Sequence, residues 1–346
     1  MNPKKIAVIL FNLGGPDRQE VVGPFLRNLF SDPAMIRLPA ILRLPLARLI
    51  AQRRAKIART IYAAIGGGSP ILLNTEAQAR ALEQALAEYG ALRVFTVMRY
   101  WHPFAHEIMP ELKAFAPDHV VLLPLYPQFS TTTTASSFKD FHAYAASGLG
   151  AETKITTICC YPTDSGFIRA MILAIRSAYP SAAAFGQPRL LLSAHGLPEK
   201  YVSNGDPYQW QCEQTAAALA RDLGISGLDW VLCYQSRVGP MRWIGPSVED
   251  EIRRAGHDGV PVLVAPIAFV SEHSETLYEI EIKYRQLAQA SGVPYFARIP
   301  AVGTAPEFIA GLARLVRRAM VQETPAASGS GEPLCPQGYC GCWLRA

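Results

Sequence analysis

The sequence predicts an α/β fold of two doubly wound, Rossmann-like lobes with parallel sheets, followed by a short cysteine-rich tail. Short apolar or β-branched runs recur along the chain and alternate with amphipathic stretches of helical length, the pattern of parallel strands covered by helices on both faces. The chain has 346 residues, more than one core usually serves, and 50% of them are hydrophobic while 18% are charged. This balance supports well-buried cores and argues against disorder.

Seven runs have the composition of strands. In chain order they are Lys5 to Phe11, Val94 to Met98, His119 to Leu125, Lys154 to Cys159, Arg189 to Ala194, Trp230 to Tyr234 and Val260 to Ile267. We expect residues 1–160 to form an N-terminal lobe and residues 161–320 a C-terminal lobe. Residues 321–346 contain the linker composition Pro-Ala-Ala-Ser-Gly-Ser-Gly-Glu-Pro, and we expect them to form the appended tail.

The strand ends are where chemistry is expected, because ligands of such sheets lie beyond the carboxyl ends of the strands. Three pairs of ends resemble each other. They are Asn12–Pro16 with Ala194–Pro198, Arg99–Pro103 with Ser236–Pro240, and Leu123–Leu125 with Ala265–Ile267. Their order is the same in both halves, which suggests two related lobes whose strand ends face one cleft.

Charge and hydropathy exclude several classes of protein. The formal charge of +5 is small for this length, and no long run of Lys or Arg indicates nucleic-acid binding. The N-terminal apolar stretch ends in Asn12-Leu13-Gly14-Gly15-Pro16, which favours a first strand and turn over a signal peptide. No run approaches the roughly 18 apolar residues of a membrane span, so we expect a cytoplasmic protein.

His195 closes an apolar strand inside the stretch Ser193-Ala194-His195-Gly196-Leu197-Pro198. An imidazole at a turn, next to a glycine that lets a ligand approach, is well placed to accept a proton. The alternative is a histidine that is merely packed or hydrogen bonded at the strand end.

Glu272, Glu275 and Glu279 follow another strand at spacings of three and four. If the helix begins this early, their carboxylates share one face. The alternative is that they are solvated acids, favoured by the helix dipole in a first turn. A neutral imidazole together with several carboxylates can hold a borderline divalent cation such as Fe²⁺ and accept protons.

Six blocks of the sequence, taken in order, resemble the ferrochelatase family. They are Asn12–Pro16, Gly66–Pro70, Tyr126–Ser130, Ser193–Pro198, Gln235–Pro240 and Ile267–Tyr278. The resemblance implies a chelatase-like fold and a lyase that inserts Fe²⁺ into protoporphyrin IX, forming protohaem and releasing two protons in the last step of haem biosynthesis. It also implies that the pocket bends the ring so that a pyrrole nitrogen is exposed to the metal.

The resemblance further implies roles for single residues. His195 matches the family histidine that accepts pyrrole protons, Glu275 matches its opposed carboxylate, and both are candidates to contact Fe²⁺. Glu272 and Glu279 would extend an acidic path for iron or protons. The porphyrin-binding candidates are the flat or apolar side chains Leu13, Tyr100, Trp243 and Phe269, and the candidates for orienting the ring or meeting its propionates are Tyr62, Ser69 and Arg99. Each wall residue, seen alone, is more often plain core.

Ile36 to Ala51 mixes apolar residues and prolines with Arg37, Arg43 and Arg48. In the family this region forms a lip over the porphyrin entrance, and such a surface could contact the inner membrane peripherally or an upstream haem-pathway enzyme. The alternative is an ordinary helix with solvated arginines.

The chain has seven cysteines, an odd number that argues against a disulfide framework in an unsecreted protein. Cys335, Cys340 and Cys342 lie in the tail. Some ferrochelatases hold a [2Fe-2S] cluster with three C-terminal cysteines and a distant fourth, for which Cys160 is the expected ligand and its neighbour Cys159 the alternative. The tail spacing differs from that of the animal enzymes, and a zinc site or free thiols are the alternatives.

Other functions fit parts of this pattern. A chelatase for coproporphyrin III, or for cobalt and an earlier tetrapyrrole, would need a differently charged pocket, since four propionates demand more cationic partners than two. A haem or porphyrin carrier would bind without chemistry, and it has no need of a proton sink such as the three glutamates.

Overall fold

The computed structural model describes residues 4–237, 239 and 241–345. Val238 and Pro240, which belong to the block Gln235–Pro240, lie outside the described residues. The chain divides into two compact units. Unit 1 comprises the chain up to Cys160 together with Leu312–Leu334, and unit 2 comprises Tyr161–Gly311 together with the chain from Cys335 onward.

Unit 1 is built on a parallel sheet. Its strands are β1 (Ile6–Asn12), β2 (Leu92–Met98), β3 (His119–Pro124), β4 (Lys154–Ile158) and β9 (Ala326–Ala327). They lie in the order β2-β1-β3-β4-β9. β1 and β3 are mostly apolar and buried along their whole length, as central strands covered on both faces must be.

The helices of unit 1 follow the strands in sequence. They are α1 (Val22–Ser31), α2 (Ala40–Ala64), α3 (Ile71–Ala85), α4 (Ala105–Phe115) and α5 (Thr134–Gly148), with short 3₁₀ turns at Gln19–Val21 and Ala87–Tyr89. In the described ranges of the chain, no helix is both long and apolar enough to cross a bilayer.

Unit 2 is built on a second parallel sheet. Its strands are β5 (Arg189–His195), β6 (Asp229–Gln235), β7 (Val262–Pro266) and β8 (Phe296–Arg298), in the order β6-β5-β7-β8. Its helices are α6 (Ser165–Ala183), α7 (Glu199–Ser203), α8 (Tyr208–Leu223), α9 (Val248–Asp258), a π-helix (Glu275–Tyr284) and α10 (Arg285–Ala290). The division between the units falls inside α11 (Pro306–Val321).

The first four strands of each sheet have the same order, in which the second strand precedes the first and the third and fourth follow. This topology confirms the predicted doubly wound α/β class, and it agrees with the paired strand ends of the sequence. In unit 2 the order reverses between β5 and β7. Ligands of open α/β sheets bind at such a switch point, outside the carboxyl ends of the strands.

All seven predicted strands are present, and their ends shift by no more than two residues. The short strands β8 and β9 were not predicted, because three and two residues are too few to form a recognisable apolar run. Both lie at a sheet edge, where tertiary pairing decides the conformation.

The C-terminal segment differs from the expected linker and tail over residues 321–346. Ala326–Ala327 pairs with Thr157–Ile158 of β4, so part of the linker composition supplies an edge strand to unit 1. Residues 312–320, expected in the second lobe, also pack with unit 1. The physical reason is that the backbone of residues 325–327 satisfies the open edge of β4, including a hydrogen bond from Thr157 N to Pro325 O of 2.8 Å.

Candidate active site

His195 is the last residue of β5 and stands at the switch point of unit 2. The rest of β5 is buried, whereas the side chain of His195 is 41% exposed. Gly196 turns the chain sharply, with its N–H donating to Gln235 O at 2.8 Å. A Cβ at Gly196 would lie 2.8 Å from that oxygen and 3.2 Å from Cε3 of Trp243, so only glycine permits this approach.

Glu275 follows β7, the neighbour of β5, and is the first residue of the π-helix. Its Oε2 lies 2.8 Å from Nδ1 of His195, and its side chain is 25% exposed. The structure therefore brings the two predicted catalytic residues into direct contact. The contact follows from the topology, because adjacent parallel strands end at the same edge of the sheet.

The helix differs from the one expected. The sequence predicts an early helix start that lines up Glu272, Glu275 and Glu279, but the helix begins at Glu275 and is a π-helix. Glu272 precedes it and accepts hydrogen bonds from Arg298 Nη1 at 2.7 Å and from the N–H of Ala301 at 3.0 Å. The expected stripe of three carboxylates is thus not formed. π-Helical turns are rare and occur frequently at functional sites.

His273 is a member of the site that sequence reasoning missed. Its Nε2 lies 3.7 Å from Oε2 of Glu275, and its Nδ1 donates to Ser271 O at 3.1 Å. The side chain is buried, with its ring 4.6 Å from that of Phe269. Its place in the block Ile267–Tyr278, two residues before Glu275, was the available signal.

Glu279 is held by residues at the end of β6. Nε2 of Gln235 donates to Glu279 Oε2 at 3.1 Å and to the backbone oxygen of Glu275 at 3.2 Å. Ser193 Oγ donates to Gln235 Oε1 at 2.7 Å and so fixes the orientation of the amide. Ser236 also donates to Glu279 and has a φ of +63°, a left-handed conformation that is uncommon for serine. Such backbone strain concentrates at functional sites.

Charge couples the two members of the pair. Burial opposes the imidazolium form of His195, but the charge of Glu275 and its hydrogen bond, with a contribution from Glu279, raise the pKa of His195 above its usual value. Burial also opposes the carboxylate of Glu275, yet His195 and His273 hold the pKa of Glu275 well below its usual range. The pair is therefore an ion pair at the usual pKa of histidine and up to the raised pKa of His195, above which the imidazole becomes neutral.

Two predicted wall residues lie beside the pair in unit 2. The ring of Phe269 meets that of His195 edge to face, with centroids 6.4 Å apart. Trp243 is half-buried and forms an isolated bridge with Pro198, just after His195. Its Nε1–H is buried and has no hydrogen-bond partner among the residues that the structure describes. A buried indole N–H usually finds a partner.

Two of the porphyrin-binding candidates of unit 1 are buried. Tyr62 and Tyr100 are buried in one apolar cluster, against which Leu13 packs. Tyr100 donates its hydroxyl hydrogen to Asp32 Oδ2 at 2.8 Å. Burial, followed by the nearby charge of Asp32, raises the pKa of Tyr100 well above its usual value. Tyr62 and Tyr100 therefore do not present open surfaces to a ligand.

Arg99 and Ser69 also contact other side chains or backbone of unit 1. Arg99 lies 2.9 Å from Asp32 and 3.5 Å from Asp140, so its charge is already compensated. Ser69 packs closely on Gly15, where a Cβ would lie 2.6 Å from that of Ser69. Both side chains are partly exposed.

The cysteines of the tail lie on unit 2. Cys335 accepts a hydrogen bond from Gln211 Nε2 at 3.1 Å, and a hydrogen bond with Cys335 lowers the pKa of Cys342 to about 7 in spite of burial. Cys340 contacts Asn204 O at 3.7 Å. In unit 1 the sulfur atoms of Cys159 and Cys160 are 3.3 Å apart. No group of three or more potential metal ligands is found within residues 4–237, 239 and 241–345.

Two parallel sheets, with an acid–base pair at the switch point of one of them, define a chelatase-like α/β protein. The fold is similar to that of SirB from Bacillus subtilis, with a TM-score of 0.54 and 12% identity over 92% of this chain and 96% of that chain. It is also similar to the sirohydrochlorin chelatase SirB from Bacillus subtilis subspecies spizizenii, with a TM-score of 0.53 and 11% identity over 91% and 95%. At this identity the likeness concerns the fold alone.

Sequence relatives give the family. The ferrochelatase family model matches residues 5–320. A ferrochelatase of Caulobacter vibrioides is 52% identical over 99% of this chain and 98% of its own length, and one of Pelagibacter ubique is 48% identical over 90% of each. The chain belongs to the ferrochelatase family, and it is a porphyrin metal chelatase, a lyase.

Proposed function

We propose that this ferrochelatase inserts Fe²⁺ into protoporphyrin IX and releases two protons, forming protohaem. The contact of 2.8 Å between His195 Nδ1 and Glu275 Oε2 at the switch point of unit 2 is the observation that carries the proposal. It joins a proton acceptor to an anionic oxygen ligand, and metal insertion needs both.

His195 is the proposed proton acceptor. Its Nδ1 is turned to Glu275, which leaves Nε2 to receive a pyrrole proton. The carboxylate orients the imidazole and stabilises the imidazolium, as the aspartate does in a Ser-His-Asp triad. His195 must be neutral before it can accept a proton, so proton release from the ion pair comes first.

Glu275 is the proposed ligand for Fe²⁺, with His195 as the second candidate donor. The low pKa of Glu275 keeps the carboxylate ionised and ready for a hard or borderline cation. A divalent ion at Glu275 would offset the charge that raises the pKa of His195, so iron binding itself would free the imidazole to accept a proton. Glu272 and Glu279 are proposed to extend the acidic path around this pair as a route for protons.

The porphyrin is proposed to lie against Phe269 and Trp243 in unit 2. The unpartnered Nε1–H of Trp243 would donate to an acceptor on the substrate. Within unit 1, Leu13 and Ser69 are the proposed porphyrin-binding residues, and Arg99 would meet a propionate through exchange with its carboxylate partners. Tyr62 and Tyr100 are buried, so we propose that they support these residues of unit 1 from beneath.

A [2Fe-2S] cluster is proposed for Cys335, Cys340 and Cys342, with Cys160 as the fourth ligand and Cys159 as its alternative. Cluster ligands are thiolates, and two of these thiols already contact each other, since a hydrogen bond joins Cys335 and Cys342. A bound cluster would link the three cysteines of the tail to one another. The competing assignment is a zinc ion bound by the same thiolates.

The segment Ile36–Ala51 is proposed to contact the inner membrane peripherally or an upstream haem-pathway enzyme, from a cytoplasmic location. Ile41 is 82% exposed, and Leu42 and Leu44 are also exposed. A cavity of about 440 Å³ beside them is lined by Arg27 and Arg48. Exposed apolar side chains beside arginines are typical of surfaces that contact anionic membranes. Co-sedimentation with anionic and with neutral vesicles tests the membrane alternative.

The test of the central proposal is an anaerobic assay with Fe²⁺ and protoporphyrin IX. We expect His195→Ala and Glu275→Gln to lose most of the haem formation seen with the parent protein. His257→Ala is the matched control, since this histidine also belongs to unit 2 and its side chain is 90% exposed. Undiminished haem formation in both site variants would refute the assignment.

A further inference from the structure

Two of the three glutamates near the reacting pair have permanent cations as partners. Glu272 Oε1 lies 2.7 Å from Nη1 of Arg298, and Glu279 Oε1 lies 3.3 Å from Nζ of Lys283. Lys and Arg keep their charge throughout the physiological pH range. Neither carboxylate therefore offers a full negative charge to an incoming metal ion.

Glu275 differs, because the partners described for it are imidazoles. His195 lies at 2.8 Å and His273 at 3.7 Å, and an imidazole nitrogen can itself be a metal ligand, which an ammonium or a guanidinium cannot. Of the three glutamates, Glu275 is thus the one with no lysine or arginine among its described partners. A divalent ion is repelled less there than beside a fixed ammonium or guanidinium.

Lys283 bridges two carboxylates that belong to different helices. Its Nζ lies 3.0 Å from Oε1 of Glu249 in α9 and 3.3 Å from Oε1 of Glu279 in the π-helix. The two glutamate side chains are only 23% and 14% exposed, so water does little to screen them. The ammonium occupies the position between two oxygens that would otherwise attract a metal ion.

The remaining donors to Glu279 are neutral. Its Oε2 accepts from Gln235 and Ser236, and its Oε1 accepts from the hydroxyl of Tyr284 at 3.3 Å. With Lys283, four donors fill the roughly four acceptor positions of one carboxylate. Lys283 is the single charged member of this set, and its side chain is 48% exposed, so it is the donor that a dissolved cation could displace.

We propose that Lys283 is a positioning residue, a built-in counter-cation that keeps divalent ions off the Glu249–Glu279 pair and so directs them to Glu275. The inference rests on the proposed role of Glu275 as the carboxylate that meets Fe²⁺. Arg298 plays the equivalent part at Glu272. Without Lys283, the outer pair becomes a second metal site that competes with the inner one.

Metal binding without porphyrin tests this directly. We expect Lys283→Met to bind one more Mn²⁺ per chain than the parent protein, measured by calorimetry and by the loss of the free Mn²⁺ spin signal. Its affinity for the extra ion should exceed any outer binding of the parent by roughly tenfold or more. Lys283→Arg, which keeps the positive charge, and Lys113→Met, an exposed lysine of unit 1, should bind as the parent does.

A second substitution identifies where the extra ion lies. Adding Glu249→Gln to Lys283→Met should abolish the gain, and thermal unfolding of each variant checks that the fold is intact. The inference is overturned if Lys283→Met binds no additional Mn²⁺, or if Lys283→Arg gains the same ion.

Iron dependence of the rate separates this inference from the proposed function. With Lys283→Met we expect the rate to fall at high Fe²⁺, because an ion held at Glu279 repels the ion approaching Glu275; Lys283→Arg should not show this inhibition. If His195→Ala and Glu275→Gln stay active, the proposed reacting pair is wrong, whereas the Mn²⁺ counts still decide whether Lys283 guards the outer pair.

Discussion

Nδ1 of His195 lies 2.8 Å from Oε2 of Glu275, although 80 positions separate the two residues in the chain. The pairing of β5 with β7 in parallel register produces this contact, because both strands end at the same edge of the sheet. Glu279 and His273 add charge and hydrogen bonds around the pair. In the proposed function, proton transfer and metal capture are thus linked at one place, and this linkage has measurable consequences.

The pH dependence of haem formation should report the charge of Glu275. In the proposed mechanism His195 accepts a proton only when neutral, and its pKa is raised in the metal-free protein, so the rate at limiting Fe²⁺ should climb as pH rises through that raised pKa. In Glu275→Gln the opposing effect of burial dominates, so the acidic limb should move to lower pH while the maximal rate falls. An acidic limb at the same pH in both proteins would contradict this prediction. The titratable groups around His195 are Glu275, Glu279 and, through Glu275, His273.

Gly196→Ala should impair porphyrin binding. The added Cβ would lie 2.8 Å from the backbone oxygen of Gln235, so the turn after His195 must shift and Trp243 must move with it. We expect a loss of stability of about 1–3 kcal/mol from overpacking and a higher KM for porphyrin. Gly23→Ala in α1 is the control, since no atom lies within 4 Å of its added Cβ. A KM equal to that of the parent protein would show that the turn adapts without disturbing the site.

Arg298→Met should destabilise unit 2. The guanidinium is 13% exposed and hydrogen bonds to Glu272 at 2.7 Å and to Glu281 at 3.2 Å. Loss of hydrogen bonds to charged groups costs about 1.5–3 kcal/mol each, and a denaturant titration should show a reduction of about that size. Arg253→Met removes an ion pair whose side chains are 58% and 67% exposed, so it should change the free energy of unfolding by less than about 1 kcal/mol. Equal effects of the two substitutions would contradict the assigned role of Arg298.

The proposed cluster predicts colour and iron content. Protein prepared without oxygen should absorb between about 300 and 600 nm, through transitions of the metal centre. Cys335→Ser, Cys340→Ser and Cys342→Ser should each lose these bands, whereas Cys212→Ser, a buried thiol in α8, should keep them. Comparing Cys159→Ser with Cys160→Ser identifies the fourth ligand. Colourless, iron-free protein from an anaerobic preparation would argue against the cluster.

Gly205 packs closely against the cysteine-rich tail. Its carbonyl oxygen accepts a hydrogen bond of 3.0 Å from the N–H of Gly341 in the tail, and a Cβ at Gly205 would lie 2.5 Å from Sγ of Cys340. Gly205 also has a φ of +86°, which a side chain rarely adopts. Gly205→Ala should therefore loosen the tail, detected as faster proteolysis at residues 335–345, while unit 1 stays resistant. Unchanged proteolysis would show that the tail is held by its other contacts.

Much of the fold was predictable because continuous apolar runs reveal buried parallel strands without knowledge of the partners. The candidate pair was predictable for a related reason. His195 and Glu275 each follow such a run, and strand ends are where ligands of these sheets bind. His273 was overlooked because the three nearby glutamates give the stronger signal. A histidine in such a segment is easily taken for a packed core residue until its distance to Glu275 is known.

The sequence alone predicted the doubly wound α/β class, most of the strands and the family resemblance. Buried strands could be predicted because each is a continuous apolar run of neighbouring residues. Tertiary structure settled which charges meet. Several features depend on residues that come together only when distant segments fold. They are the pairing of Glu272 with Arg298, the bridge of Lys283 between Glu249 and Glu279, and the pairing of β9 with β4. The π-helix was likewise evident only in the structure. Local periodicity carries no information about such partners, since electrostatic energy depends on distances in space and not on spacing in the chain.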